Sequence, residues 1–162
     1  MIALILSAAL AGTVPIIPAG QTFRCTPVAI YDTDGPIWCA EGPRLRLNAG
    51  AGRETDGTCR RGHPCPAMMP EPARQQTIRA IGGIPAGRSP QGHVLLRGSP
   101  TMTCTSSGRA VGQRTGAICN VGGQQLNCLV IRSGAMAYWP RYDHGGAVRQ
   151  SMARQCSAVR VR

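Results

Sequence analysis

The stretch Arg44-Leu45-Arg46-Leu47-Asn48-Ala49-Gly50-Ala51-Gly52-Arg53-Glu54 carries the residue types that phosphate chemistry requires. Arg44 and Arg46 alternate with Leu45 and Leu47, which is the period of a half-buried strand. The chain then breaks into a turn of small residues and presents the carboxylate of Glu54. A guanidinium at a sheet edge can hold two phosphate oxygens in one fork. A carboxylate beyond a flexible turn can orient or deprotonate a water. Taken alone, the stretch reads equally well as a strand with solvated charges.

Charge narrows the choice of partner. The 162 residues include 18 basic and seven acidic side chains, for a formal charge of +11, and every basic residue is Arg. Such a balance draws polyanions through long-range attraction and counterion release. Nucleic acid is the leading candidate, with an anionic membrane surface or cell-wall polymer as the alternative. Other chemistries find less support. His63, His93 and His144 lack a Ser-Asp framework. Gly82-Gly83 is not followed by the Lys-Ser/Thr of a phosphate-cradling loop. Cys59-Arg60-Arg61-Gly62-His63-Pro64-Cys65 lacks zinc-finger spacing and reads as a local disulfide. Tyr138, Trp139 and Tyr142 could stack bases. In a chain with one Phe, two Trp and three Tyr they are assigned to packing.

The elements that must position these residues are short. Gly 21 and Pro 13 favour turns and brief strands over long helices. Residues 25–49 read as three strands: Cys25 to Tyr31, Pro36 to Cys39, and one from Arg44. They are joined at Asp32-Thr33-Asp34-Gly35 and Glu41-Gly42-Pro43. Gly50 to Met69 reads as a loop. Pro70 to Ile81 should be a helix, with Pro and Glu71 in its first turn and Gly82-Gly83 at its end. Ala73, Thr77, Ala80 and Ile81 share its inner face, and Arg74 and Arg79 its solvated side. Gly92 to Thr105 and Arg114 to Val121 form two more strands around a turn from Ser106 to Gln113. Gln124 to Met136 forms a second helix, with Leu126, Leu129, Val130 and Cys128 considered for its inner face. His144 beside Asp143 reads as a solvated turn, and the basic tail from Gly146 has room for a last helix.

Met1 to about Gly20 reads as an export signal, with an apolar run from Ile2 to Leu10 and possible cuts near Ala11 or after Ala19. It lacks a positive start, since no Lys or Arg precedes Arg24. Eight cysteines, an even number, point to an oxidising compartment and up to four disulfides. Eight cysteines allow 105 full pairings; strand pairing could bring Cys25 towards Cys39 and Cys104 towards Cys119, and a link between Cys128 and Cys156 could tie the tail to the body. The expectation is one domain over residues 21–162, periplasmic or secreted, monomeric and without stable membrane insertion once the signal is removed. Five short strands with a helix after the third give the order of an OB-type barrel, an α+β fold.

Four stretches resemble the staphylococcal-nuclease-like (thermonuclease) family. Ile30-Tyr31-Asp32-Thr33-Asp34-Gly35 is similar to the family's V-I-D-G-D-T turn. Arg44 to Glu54 is similar to R-I-R-L-x-G-I-D-A-P-E. Gly112-Gln113-Arg114-Thr115-Gly116-Ala117 resembles Y-G-R-x-x-A, and Gly123 to Tyr142 resembles the D-G-x-x-x-N-x-x-L-V-x-x-G-x-A helix that follows. The resemblance implies a five-stranded barrel with three helices and calcium-dependent hydrolysis of DNA or RNA. By motif position, Arg46 and Arg114 would bind phosphate, Glu54 would position or deprotonate the attacking water, and Asp34 would bind calcium.

The chain also departs from that pattern. Ala51 stands where the family has its second metal-binding aspartate, and Arg53 replaces the family proline. Thr33, Gly35, Gly112 and Gln113 differ from the motif as well. Calcium takes six to eight oxygens, so the loss weakens the site unless Asp32, Asp56, the Gly52 carbonyl or the charge of Arg53 compensates. The alternative is therefore an OB-type module that binds nucleic acid or another polyanion without cutting it. A third reading is a disulfide-stapled envelope protein with a structural role.

Overall fold

The computed structural model describes residues 12–158. The first part of the expected export signal, residues 1–11, and the last residues of the basic tail, 159–162, lie outside the described residues. The alternation read from Arg44 to Leu47 sets the pattern of the whole sheet. Leu45 and Leu47 are fully buried, and Arg44 and Arg46 are half-buried on the other face.

The strands are β1 (Thr22–Cys25), β2 (Pro27–Ile30), β3 (Ile37–Cys39), β4 (Arg44–Leu47), β5 (Gly50–Ala51), β6 (Ile84–Arg88), β7 (Val94–Arg97), β8 (Met102–Ala110), β9 (Arg114–Val121), β10 (Gln124–Gln125) and β11 (Ala137–Tyr138). The helices are α1 (Pro70–Ile81), α2 (Leu126–Arg132) and α3 (Ala147–Ala153), with single 3₁₀ turns at Pro140–Tyr142 and His144–Gly146. Neighbours in the main sheet run β1-β8-β9-β4-β3-β2-β7-β6, with β10 added on β9. Every pairing is antiparallel except β4 with β9, where Arg46 lies beside Gly116. β5 and β11 form a separate small ladder.

This order forces curvature. β7 and β8 lie five strand spacings apart in the sheet, about 24 Å if it were flat. The chain from Arg97 to Met102 reaches about 17 Å at full extension. The sheet therefore curls into a barrel-like, mixed half-barrel, and with its three helices the fold is α+β.

The core fills the concave side. Ile30, Ile37, Leu45, Leu47 and Met102 from the sheet meet Ile78 and Ile81 of α1 and Leu126 and Val130 of α2. Each such side chain contributes about 1.5–3 kcal/mol by leaving water. A smaller cluster joins Ala49, Cys128, Val148 and Cys156. Disulfides link Cys25 to Cys39, Cys59 to Cys65, Cys104 to Cys119 and Cys128 to Cys156. These are the expected pairs, and a zinc site at Cys59 and Cys65 is excluded because neither thiol is free.

α1 has the predicted bounds. Pro70 opens it, and Gly82, at φ 82°, closes it with its N–H on the Ile78 and Arg79 carbonyls. Arg74 is not on a solvated side. It is buried, with Nη1 on the Tyr31 and Gly92 carbonyls and Nη2 on Glu71. Its long stem reaches over the strand ends, where backbone oxygens need a donor.

Three further expectations give way. β8 continues to Ala110, so its turn shrinks to Val111–Gln113, because Ser106 to Ala110 stay paired with β9 as far as Arg114. The second helix is shorter than Gln124 to Met136, because Gln124 and Gln125 pair with β9 and Ala137 and Tyr138 pair with β5. β6, an exposed edge strand, had no alternation to announce it. No helix among the described residues is long and apolar enough to cross a membrane.

Candidate phosphate-binding cleft

Asp34 sits in the turn between β2 and β3. Its own carbonyl accepts the Leu47 N–H at 2.8 Å, which pins the turn against β4. A Cβ at Gly35 would land on the Leu45 carbonyl oxygen, and φ there is +125°, so this turn requires glycine. Thr33 is buried and its carbonyl accepts from Thr77 of α1 at 3.0 Å. The turn is thus held from both sides.

That placement brings Asp34 to Arg46. Nη1 of Arg46 lies 2.8 Å from Asp34 Oδ2, with side-chain exposures of 18% and 15%. The same nitrogen donates to the Leu47 carbonyl at 2.8 Å and the Gly50 carbonyl at 3.2 Å. Arg114 starts β9, two residues before Gly116, and its Nε donates to the Val111 carbonyl. Burial holds its pKa below the usual arginine value, and the neighbouring charge of Arg46 adds to that effect. Asp34 and Asp32 act in the opposite sense on Arg114, so all four groups share one neighbourhood.

Arg46 and Arg114 open onto one cleft of about 370 Å³. Arg60, Arg109, His63, His144, Trp139 and Tyr142 also line it, and no Asp or Glu does. The aromatic wall is ordered by one tilted and one edge-on ring contact. Trp139 lies 4.3 Å from the His63 ring and 4.5 Å from Tyr142, both between ring centroids. Trp139 and Tyr142 thus stand at the rim rather than in the core, because the 3₁₀ turn at Pro140–Tyr142 turns them outward. Tyr138 does pack, as expected, against the smaller cluster.

Glu54 reaches the cleft only through another residue. Its Oε1 lies 3.4 Å from Arg60 Nε, in a largely exposed pair. Its backbone closes a tight loop through the Thr58 carbonyl and the Gly57 N–H, each at 2.8 Å. Asp32 is the most perturbed carboxyl. Burial pushes it up to about 7, helped by the charge of Asp34 and more weakly by Glu54.

Two of the groups offered as compensation for Ala51, Arg53 and Asp56, are committed elsewhere. Arg53 donates to the Pro66 and Gly57 carbonyls, at 2.9 and 2.8 Å, and so holds the loop. Asp56 accepts from the Thr58 N–H and hydroxyl, the main cause of its lowered pKa. Ala51 itself is buried in β5. The Gly52 N–H, at 3.4 Å, faces Asp34. Among the described residues no three His, Cys, Asp or Glu side chains are grouped to hold a metal. With Asp34 neutralised by a guanidinium, this donor set does not fit the calcium that the family resemblance implies.

Two residues of the site escaped sequence reasoning. Asn127 is fully buried between Leu126 and Cys128. Its amide accepts from the Cys119 N–H and donates to the Asn48 and Ala117 carbonyls, each at 3.0 Å. It fixes the turn after β4 to β9, and its signals were a polar residue inside an apolar helical run and the Asn of the family motif that Gly123 to Tyr142 resembles. Asp143 is no solvated turn residue. It is buried and accepts from the Val148 and Arg149 N–H groups and from the Tyr138 hydroxyl. Burial and that bond push Tyr138 up to about 12, so it stays a donor. Comparison with protein-family models, with curated proteins and with solved structures returns no match for this chain.

Proposed function

We propose that this chain is an exported phosphodiesterase acting on nucleic acid, a divergent relative of the staphylococcal-nuclease-like family. The observation that carries the reading is the opening of Arg46 and Arg114, far apart in sequence, onto one cleft without a carboxylate in its lining. In this reading the two guanidiniums hold the phosphate oxygens and stabilise the charge that builds on them during attack. Glu54, which must first leave Arg60 to reach the cleft, takes the proton of the attacking water as the new P–O bond forms, while one ester P–O bond breaks and its oxygen departs with the electron pair and takes a proton from solvent. Trp139 and Tyr142 offer faces to an unpaired base. No step is assigned to calcium.

The strand order supports an OB-type reading of the barrel. β2, β3, β4 and β9 would be four of its five strands, and β7 with β8 one bent strand that closes it. Four disulfides suit the periplasm or the exterior. Ile17 bonds Ser106 and Thr115, at 2.7 and 3.1 Å. Signal removal near Ala11 would keep those bonds, and removal after Ala19 would lose them.

The test is incubation of the disulfide-intact protein with single-stranded DNA and with RNA, with and without calcium. Glu54→Gln should remove most cleavage, and Arg114→Ala should weaken substrate retention as well. Equal cleavage by wild type and Glu54→Gln would discard the mechanism. A second reading, a module that binds nucleic acid without turnover, is favoured by the distance of Glu54 from the cleft lining. It predicts tight binding and no cleavage under any divalent ion.

A further inference from the structure

We infer that the Arg46 guanidinium is a built-in replacement for a divalent cation, so that the cleft takes a phosphodiester without any metal ion. The inference rests on the cleft being a phosphodiester site. It follows from how the hydrogen bonds of Arg46 are distributed. All of them run through Nη1, to the Leu47 and Gly50 carbonyls, and the same nitrogen makes the ion pair with Asp34. Nε and Nη2 make no hydrogen bond among the described residues, and neither is shut away in the interior without a partner. One edge of the fork is therefore anchored while the other is left for an incoming oxyanion, the arrangement a bidentate phosphate contact needs.

The charge balance points the same way. A divalent cation beside Asp34 would have to displace a guanidinium already held by one carboxylate and two carbonyls. It would then sit next to Arg114, whose positive charge already feels Arg46. The compensating oxygens are scarce, because Ala51 contributes none and Glu54 is turned to Arg60. The phosphate, in contrast, meets two guanidiniums whose positions are set by strands paired in register. Asp34 is accordingly a positioning residue for Arg46 rather than a metal ligand.

Fluorescence anisotropy with a labelled single-stranded DNA oligonucleotide decides the matter, in excess EDTA and in excess calcium at matched ionic strength. The expected dissociation constants agree within about twofold, a difference small on the free-energy scale of binding. Tightening by about tenfold or more in calcium overturns the inference while leaving the phosphodiester site standing. Absence of binding in both conditions overturns the site itself and the inference with it. Asp34→Asn should weaken binding equally in the two conditions, and a loss confined to calcium overturns the positioning role. If that variant does not fold, calcium titration of the wild type against thermal unfolding serves instead. No saturable rise in Tm is expected, and such a rise contradicts the replacement.

Discussion

Asp32 shows how strongly the fold can act on one side chain. Its carboxyl is pushed from 3.8 to about 7 by burial and by Asp34 beside it. The folded state therefore keeps a proton that the unfolded chain releases at much lower pH. The contribution is full below the unfolded value and is lost as pH rises towards about 7. Asp32→Asn should remove this dependence. The variant should melt a few degrees above wild type at about pH 8, and the two should converge at about pH 4. Thermal melts across that range check it, and parallel curves would contradict it. At this scale the sequence was informative about Arg46, whose strand alternates cleanly, whereas Arg114 was marked only by the family resemblance, since β9 is buried at three successive positions. The sequence was uninformative about Arg53, Arg74 and Asp143. Their roles depend on backbone carbonyls and N–H groups that only the folded chain brings within reach.

Among the elements, α3 depends on the carboxylate that precedes it. Asp143 meets two N–H groups of its first turn and the Tyr138 hydroxyl while itself buried. Asp143→Ala should cost about 2–3 kcal/mol, since a charged cap and a charged hydrogen bond are lost together. Urea unfolding with disulfides intact measures that loss, and a change under about 0.5 kcal/mol would be at odds with it. The loop from Glu54 to Cys65 is held differently, by a disulfide closing a short ring. Replacing Cys59 and Cys65 together by Ser should cost about 2 kcal/mol. The effect on substrate affinity should be larger, because Arg60 and His63 lie inside that ring. Affinity and Tm measured on the same sample separate the two effects. Element bounds were legible where local chemistry sets them, as at Pro70 and Gly82. They were obscured where distant partners do so, as when β5 draws Ala137 and Tyr138 out of the expected helix.

For the molecule as a whole, the +11 charge predicts attraction to polyanions, and the cleft sets how many contacts are specific. Arg46, Arg60, Arg109 and Arg114 line it. With four phosphates neutralised on a single strand, log K should fall against log salt with a slope of about −3. Arg109→Ala should lower that slope by about 0.7. A slope unchanged by the substitution would assign binding to the general surface charge. Cysteine pairing was open in the sequence, which offered these four pairs without excluding others, and the folded strands bring each pair together. The curl of the sheet was less so, since β6 and the extension of β8 carry no hydrophobic signal.

The parallel contact between β4 and β9 joins Leu45 to Thr115 and Leu47 to Ala117, which lie far apart along the chain. Pairings this remote close after nearer hairpins have zipped, because they demand a larger loss of chain freedom. Arg46 and Arg114 become neighbours only at that moment. A nascent or clipped chain therefore lacks the paired guanidiniums, and any affinity that needs both would report completion of folding rather than accumulate alongside it.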